Sequence, residues 1–219
     1  MVSPDPYTRP VDSPSPAEVL IPVKAFTRAK LRLSTVLDPA LRAELARTMA
    51  DHVVAAAAPL PVVVVCEDDA VAEWAASVGA RVEWTPGLGL NGAVQEAVRR
   101  CAAHGTARAV VCHADLPFAR GLAALTDAGD DEVVLVADRR GQGTNVASVP
   151  TGAGFEFAYG VGSFPRHLAE AERLGLRVRV LDSEHLGWDV DEPDDLQIPS
   201  RLGDGSALVV DGVLQGRPA

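Results

Sequence analysis

"LPVVVVCEDDAVAEWAASVGARVEW", Leu60 to Trp84, spells out a strand, a helix and a second strand. Leu60–Cys66 is β-branched, of strand length and apolar along almost all of it, so it has no face to offer to water. Asp68 to Val78 has the composition of a short helix, and Ala80 to Trp84 reads as the next strand. The same rhythm extends both ways. Upstream stand a strand at Glu18–Val23, "EVLIPV", and a helix from Pro39 to Ala57 that opens on proline, a residue suited to a first helical turn. Downstream come a helix from about Asn91 to His104, a strand at Ala107–His113, a helix at about Gly121–Asp127 and a strand at Glu132–Asp138. A helix at Ser163–Leu174 and a strand at Leu176–Asp182 close the series. Alternation with near-continuous apolar strands predicts one α/β domain whose mostly parallel central sheet is covered on both faces.

Two stretches break the rhythm. Residues 1–16, "MVSPDPYTRPVDSPSP", carry five prolines and read as a disordered leader ahead of a domain spanning 17–219. Arg139 to Phe164, "RRGQGTNVASVPTGAGFEFAYGVGSF", is too long and too rich in Gly, Thr and Asn for an ordinary connection, and reads as a binding excursion from the sheet.

Composition narrows the chemistry. Of 219 residues, 47% are hydrophobic, enough for one continuous core, and the net charge of -10 argues against nucleic acid or an anionic membrane surface as partner. Cys66, Cys101 and Cys112 form no CxxC pair and read as reduced, buried thiols. With no apolar run of membrane-spanning length and no signal pattern, the expected compartment is the cytoplasm. Nothing in the sequence reports an oligomeric state.

In an open parallel sheet, ligands bind where the strands end at their carboxyl side. "IPVKAFTRAKLRL", Ile21–Leu33, follows the first strand and holds both lysines of a chain whose other cations are eighteen arginines. "HADLP", His113–Pro117, ends another strand with Asp115, and "WDVDEPDDL", Trp188–Leu196, places Asp189 and Asp191 two apart, on one face if extended. Carboxylates from distant segments beside lysines suit a Mg²⁺ that carries phosphates, since Mg²⁺ takes one or two carboxylates and leaves the remaining positions to phosphate and water. Each motif also has a plainer reading. Asp115 can be a turn former before proline, the acidic run a helix N-cap, the lysines solvated charge, and His113 a packed strand-end histidine. Taken jointly at one rim, they favour chemistry. "TPGLGLN", Thr85–Asn91, and "YGVGSF", Tyr159–Phe164, each lead into a helix whose N-terminus suits phosphate. Ser163 reads as an N-cap that can also receive a phosphorylated acid, and Thr144 in "GTN" carries the same two readings.

These segments, in this order over roughly Glu18 to Leu196, resemble the phosphoenolpyruvate or 2-phospho-L-lactate guanylyltransferases of coenzyme F(420) biosynthesis, within nucleotidyltransferases of Rossmann-like, glycosyltransferase-A type fold. The resemblance implies transfer of GMP from GTP to the phosphate of a three-carbon acid, with release of pyrophosphate. Lys24, Lys30 and Arg32 would then contact the GTP phosphates, and Asp115 would hold Mg²⁺ with Asp191 or Asp189. By the same likeness Thr144, Gly160 and Ser163 would receive the acid, and Gly89 and Asn91 would lie near the nucleoside. Glu192 departs from the family, which often has Thr there, and adds a negative charge. Two other readings stay open: a nucleotidyltransferase using CTP or another triphosphate, and a nucleotide-sensing module without catalysis.

Overall fold

A computed structural model describes residues 16–202; the expected leader up to residue 15 and residues 203–219 lie outside the described part. The strands are β1 (Ala17–Pro22), β2 (Val62–Cys66), β3 (Arg81–Trp84), β4 (Arg108–Cys112), β5 (Glu132–Ala137), β6 (Thr144–Pro150) and β7 (Arg177–Val180). They form one sheet in the order β3-β2-β1-β4-β6-β5-β7. Only β6 runs antiparallel to its neighbours, β4 and β5, so the mostly parallel sheet is as expected. The helices are α1 (Pro39–Ala56), α2 (Asp69–Ser77), α3 (Gly89–Ala103), α4 (Ser163–Arg173) and the single turn α5 (Glu184–Gly187).

The two faces of the sheet explain the unbroken apolar runs. Val19 and Ile21 of β1 pack with Val53 of α1 and Trp74 of α2, while Leu20 between them packs with Val94 and Val98 of α3 on the other side. A strand buried on both faces admits a polar residue only where a partner meets it, as Arg81 meets Glu18 of β1, and each buried Val, Leu or Ile contributes about 1.5–3 kcal/mol by leaving water. Asp38 starts α1 by accepting from the Leu41 amide at 2.9 Å, and Asp68 starts α2 by accepting from Val71 at 3.1 Å.

β6 corrects the reading of Arg139–Phe164 as one long excursion: all seven of its residues are buried in the sheet. Its polar members conceal it in sequence, because each has a buried partner. Asn145 donates to the Leu186 carbonyl at 3.0 Å, and Ser148 donates to the Leu125 carbonyl at 2.8 Å. The turn into β6 folds around Asp138, whose carboxylate accepts from the amides of Arg140, Gln142 and Gly143 at 2.8–3.0 Å. A Cβ at Gly143 would stand 2.8 Å from that carboxylate, so the turn requires glycine there. The expected helix at Gly121–Asp127 is instead a 3-10 turn over Leu122–Thr126, entered from a left-handed Gly121 and held by two buried leucines.

What remains of the excursion is an extended segment, Phe155–Tyr159, whose backbone is satisfied by side chains. Asn91 bridges the amide and carbonyl of Tyr159 at 2.7 and 3.3 Å, and Gln95, one helical turn on, bridges Phe157 and Phe155 at 3.2 and 3.0 Å. From α4, His167 Nε2 accepts from the Ala158 amide at 2.9 Å. That bond leaves the proton on Nδ1, which faces Thr144 Oγ1 at 2.9 Å.

Burial, with Arg166 adding, pushes the His167 imidazole down to about 4. A depressed imidazole stabilises the fold in full above the ordinary value of about 6.5, and that contribution disappears as pH falls from there to about 4. Urea unfolding should therefore show a loss of roughly 2–3 kcal/mol between pH 7 and pH 4.5 in the parent chain that is absent from His167→Gln. Equal pH profiles for the two would refute the assignment.

Candidate active site

Three segments meet beyond the carboxyl ends of β1 and β4, and a small apolar cluster of their own holds them. Leu33 from the segment after β1, Phe118 from the segment after β4, and Trp188 and Val190 pack together with Leu45 and Met49 of α1. The chain from Trp188 to Asp191 alternates, so Trp188 and Val190 face this cluster while Asp189 and Asp191 face the other way. The Val190 amide donates to the backbone carbonyl of Asp115 at 3.2 Å, which ties the two acidic motifs directly. Packing of the neutral residues thus brings together carboxylates that would otherwise repel.

Lys30 stands between them. Its ammonium donates to Asp115 Oδ2 at 2.5 Å and to Asp191 Oδ1 at 2.9 Å, so those two oxygens are at most 5.4 Å apart, the sum of the contacts. The Lys30 side chain is 8% exposed. Its backbone is left-handed, with φ of 53°, the only such non-glycine residue among those described. That conformation costs about 1 kcal/mol and occurs where two 3-10 turns, Phe26–Arg28 and Leu31–Thr35, meet. Burial pulls the Lys30 pKa down, but Asp115 and Asp191 outweigh it and hold the ammonium above its ordinary value. Burial likewise opposes the charge on Asp115, and Lys30, with His113 behind it, holds that carboxyl below the usual range.

Asp189 has no such partner. Burial first, then the charge of Asp115, push it up to about 7. Asp115 Oδ1 and Asp189 Oδ1 are both buried without a hydrogen-bond partner. Orphaned hard oxygen donors of this kind suit a divalent cation in chemical character. In spacing, no group of three or more His, Cys, Asp or Glu side chains among the described residues is set to hold a metal, and the Lys30 ammonium stands between Asp115 and Asp191.

Of the other expected residues, Arg32 and Lys24 border this centre. Arg32, its side chain 67% exposed, lies 3.8 Å from Asp191 and 3.7 Å from Glu192. Glu192 also meets Arg140 at 3.2 Å, so the extra negative charge is offset locally. Burial lowers the His113 pKa; Asp115 opposes the shift, and Lys30 and Lys24 add to it, which puts exposed Lys24 on the same rim. Thr144 and Ser163 come together, the Thr144 amide donating to Ser163 Oγ at 2.9 Å. Ser163 is not an N-cap: Gly162, left-handed at φ of 70°, caps α4 and leaves the Ser163 hydroxyl to Thr144. Gly160, at φ of 117°, and Val161, 94% exposed, form the tip of that loop. Gly89 opens α3, and Asn91 just inside it spends its amide on Tyr159.

Sequence reasoning overlooked Asp195. It is wholly buried, accepts from the amides of Asp191 and Glu192 at 2.9 and 2.7 Å, and pairs with Arg139 and Arg140. Arg139 in turn lies 4.7 Å over the Trp188 ring. The plainer account of the acidic run "DVDEPDD" as a helix N-cap with acidic first-turn residues also holds, for a 3-10 turn: Glu192 caps Pro193–Leu196, Asp194 and Asp195 lie in that turn, and Asp195 aims Asp191 by fixing its backbone.

A family model described as guanylyl transferase CofC like matches residues 17–204. The chain is 35% identical over 192 residues to a phosphoenolpyruvate guanylyltransferase of Chloroflexus aggregans, covering 82% of this chain and 94% of that one. It is 35% identical over 182 residues to a 2-phospho-L-lactate guanylyltransferase of Methanothermobacter thermautotrophicus, covering 81% of each. A protein of Desulfovibrio desulfuricans G20 assigned as a nucleotide-diphospho-sugar transferase superposes with a TM-score of 0.71 at 19% identity, over 88% of this chain and 89% of that one, and so shares the fold.

A carboxyl whose folded pKa is raised destabilises the protein when ionised: the penalty is absent below the ordinary value of about 3.8 and grows as pH climbs towards 7. Asp189→Asn should therefore stabilise the protein at pH 8 in a chelating buffer, by on the order of 2 kcal/mol in chemical unfolding, and should make little difference at pH 4. Destabilisation at pH 8 would contradict the crowding of charge described above.

Proposed function

We propose, because the chain belongs to the family of CofC-like guanylyl transferases, that it is a nucleotidyltransferase moving GMP from GTP to the phosphate of phosphoenolpyruvate or 2-phospho-L-lactate, with release of pyrophosphate, in coenzyme F(420) biosynthesis. The observation that carries the reading is the meeting of Asp115, Asp189 and Asp191 with Lys30 at one end of the sheet. In this reading Asp115 and Asp191, with Asp189 beside them, hold Mg²⁺. When bound, that ion neutralises triphosphate charge and polarises the bond to pyrophosphate.

The chain's own residues position and neutralise. An oxygen of the acceptor phosphate attacks the α-phosphorus of GTP in line, the new oxygen-phosphorus bond forms as the bond to pyrophosphate breaks, and the electron pair leaves with pyrophosphate. The acceptor is already ionised at neutral pH, so no protein base has to take a proton. Lys24 and Arg32, exposed on the rim, follow charge that moves onto the leaving group. Thr144 and Ser163 are suited to the acceptor anion. Thr144 Oγ1 accepts from His167 and Ser163 Oγ accepts from Thr144, so each hydroxyl retains its proton to donate, at the N-terminus of α4. Gly89 opens α3, where this reading sets the nucleoside. The reading places the protein in the cytoplasm, as its three free, buried cysteines favour. No helix among the described residues is long and apolar enough to cross a membrane.

Incubation with GTP, Mg²⁺ and each three-carbon acid, followed by mass spectrometry, should reveal a guanylylated acid and an equivalent of pyrophosphate. Consumption of CTP in preference to GTP would rule out the guanylyl assignment. Asp115→Asn should lower turnover at least ~100-fold, the scale on which removing one element of transition-state charge stabilisation acts.

A further inference from the structure

We infer that Lys30 is a built-in competitor for the divalent cation: its ammonium bridges Asp115 and Asp191 until the ion takes their oxygens, and it is then freed towards the triphosphate. The inference rests on the reading of these carboxylates as the metal site, and concerns what this chain does before metal and nucleotide arrive.

Three independent features carry it. The contacts of 2.5 and 2.9 Å engage one oxygen of each carboxylate, so an ion using those oxygens must displace the ammonium. The second oxygen of Asp115 is buried and unpartnered, so Lys30 satisfies the acidic centre only in part. The residue that makes the bridge is also the non-glycine one held left-handed, between two short turns that present no buried side chain but Leu33. Phe26 docks edge-on against Trp74 and the Lys30 carbonyl accepts from the Leu33 amide at 3.0 Å, so what is free to move when the bridge is exchanged for another is the strained Lys30 and its side chain. The segment is anchored at Phe26 on one side and at buried Leu33 on the other, so the movement is confined to the stretch between them.

Two consequences follow by linkage. Without nucleotide, the bridge weakens metal binding, because the ion must first displace a bound cation. With nucleotide, the freed ammonium gains phosphate partners, so metal and GTP each strengthen the other's binding. The device keeps the acidic centre partly neutralised when empty and commits it only when both ligands are present.

The test uses the full chain and Mn²⁺ alone, with binding read from loss of the free-ion electron paramagnetic resonance signal. Lys30→Met should bind Mn²⁺ about tenfold more tightly than the parent in the absence of nucleotide, whereas Lys30→Arg, which keeps a cation in place, should stay close to the parent. Adding GTP should tighten Mn²⁺ binding in the parent and much less in Lys30→Met. Equal or weaker Mn²⁺ binding by Lys30→Met, or equal tightening by both substitutions, would overturn the inference while leaving the metal site standing. Binding by the parent that is unchanged in Asp115→Asn would instead remove the metal reading itself, and the inference with it. If Lys30→Met is too unstable for titration, a larger Mn²⁺-induced rise in its melting temperature than in the parent's supports competition, and an equal or smaller rise refutes it.

Discussion

Like charges cannot be crowded beyond a strand end without something to hold them there, and here an ammonium does so. Asp115 and Asp191 come from segments 76 positions apart in the chain, and one Lys30 side chain joins them. Their attraction to it is large because the group is nearly shut off from water, where a charge left alone would be expensive. Asp189 marks the limit of the arrangement: a third carboxyl with no cation of its own, which burial and then the charge of Asp115 push up to about 7.

The neutral residues make that arrangement possible. Leu33, Phe118, Trp188 and Val190 each sit close in sequence to a charged residue of the site, and they cluster with one another against α1. Hydrophobic packing of these neighbours supplies the free energy that electrostatics would otherwise oppose. Asp195 then sets direction, since its buried carboxylate holds two consecutive amides and with them the orientation of Asp191.

β1, β2 and β4 were legible because strands buried on both faces leave a nearly unbroken apolar run, and β3 by its place in the strand–helix alternation. β6 was not. A central strand containing Asn145 and Ser148 has the composition of a loop, and only the partners waiting at Leu186 and Leu125 make it a strand. The two lysines drew notice by their rarity, and Asp115 with the DVD pair by strand-end position and period. That Lys30 faces the carboxylates, that Asn91 is spent on the backbone of Tyr159, and that Gly162 rather than Ser163 caps α4 depend on contacts far apart in the chain. Spacing carries no record of such contacts.

The segment Phe155–Tyr159 is fastened by Asn91, Gln95 and His167 rather than by a neighbouring strand. A β-ladder must keep its register along its whole length, whereas an edge pinned at separate points can be re-aimed one pin at a time. The loop that ends in Gly160 and Ser163 can therefore drift across generations to take different shapes, while the sheet beneath it, and the acidic centre beside it, stay as they are.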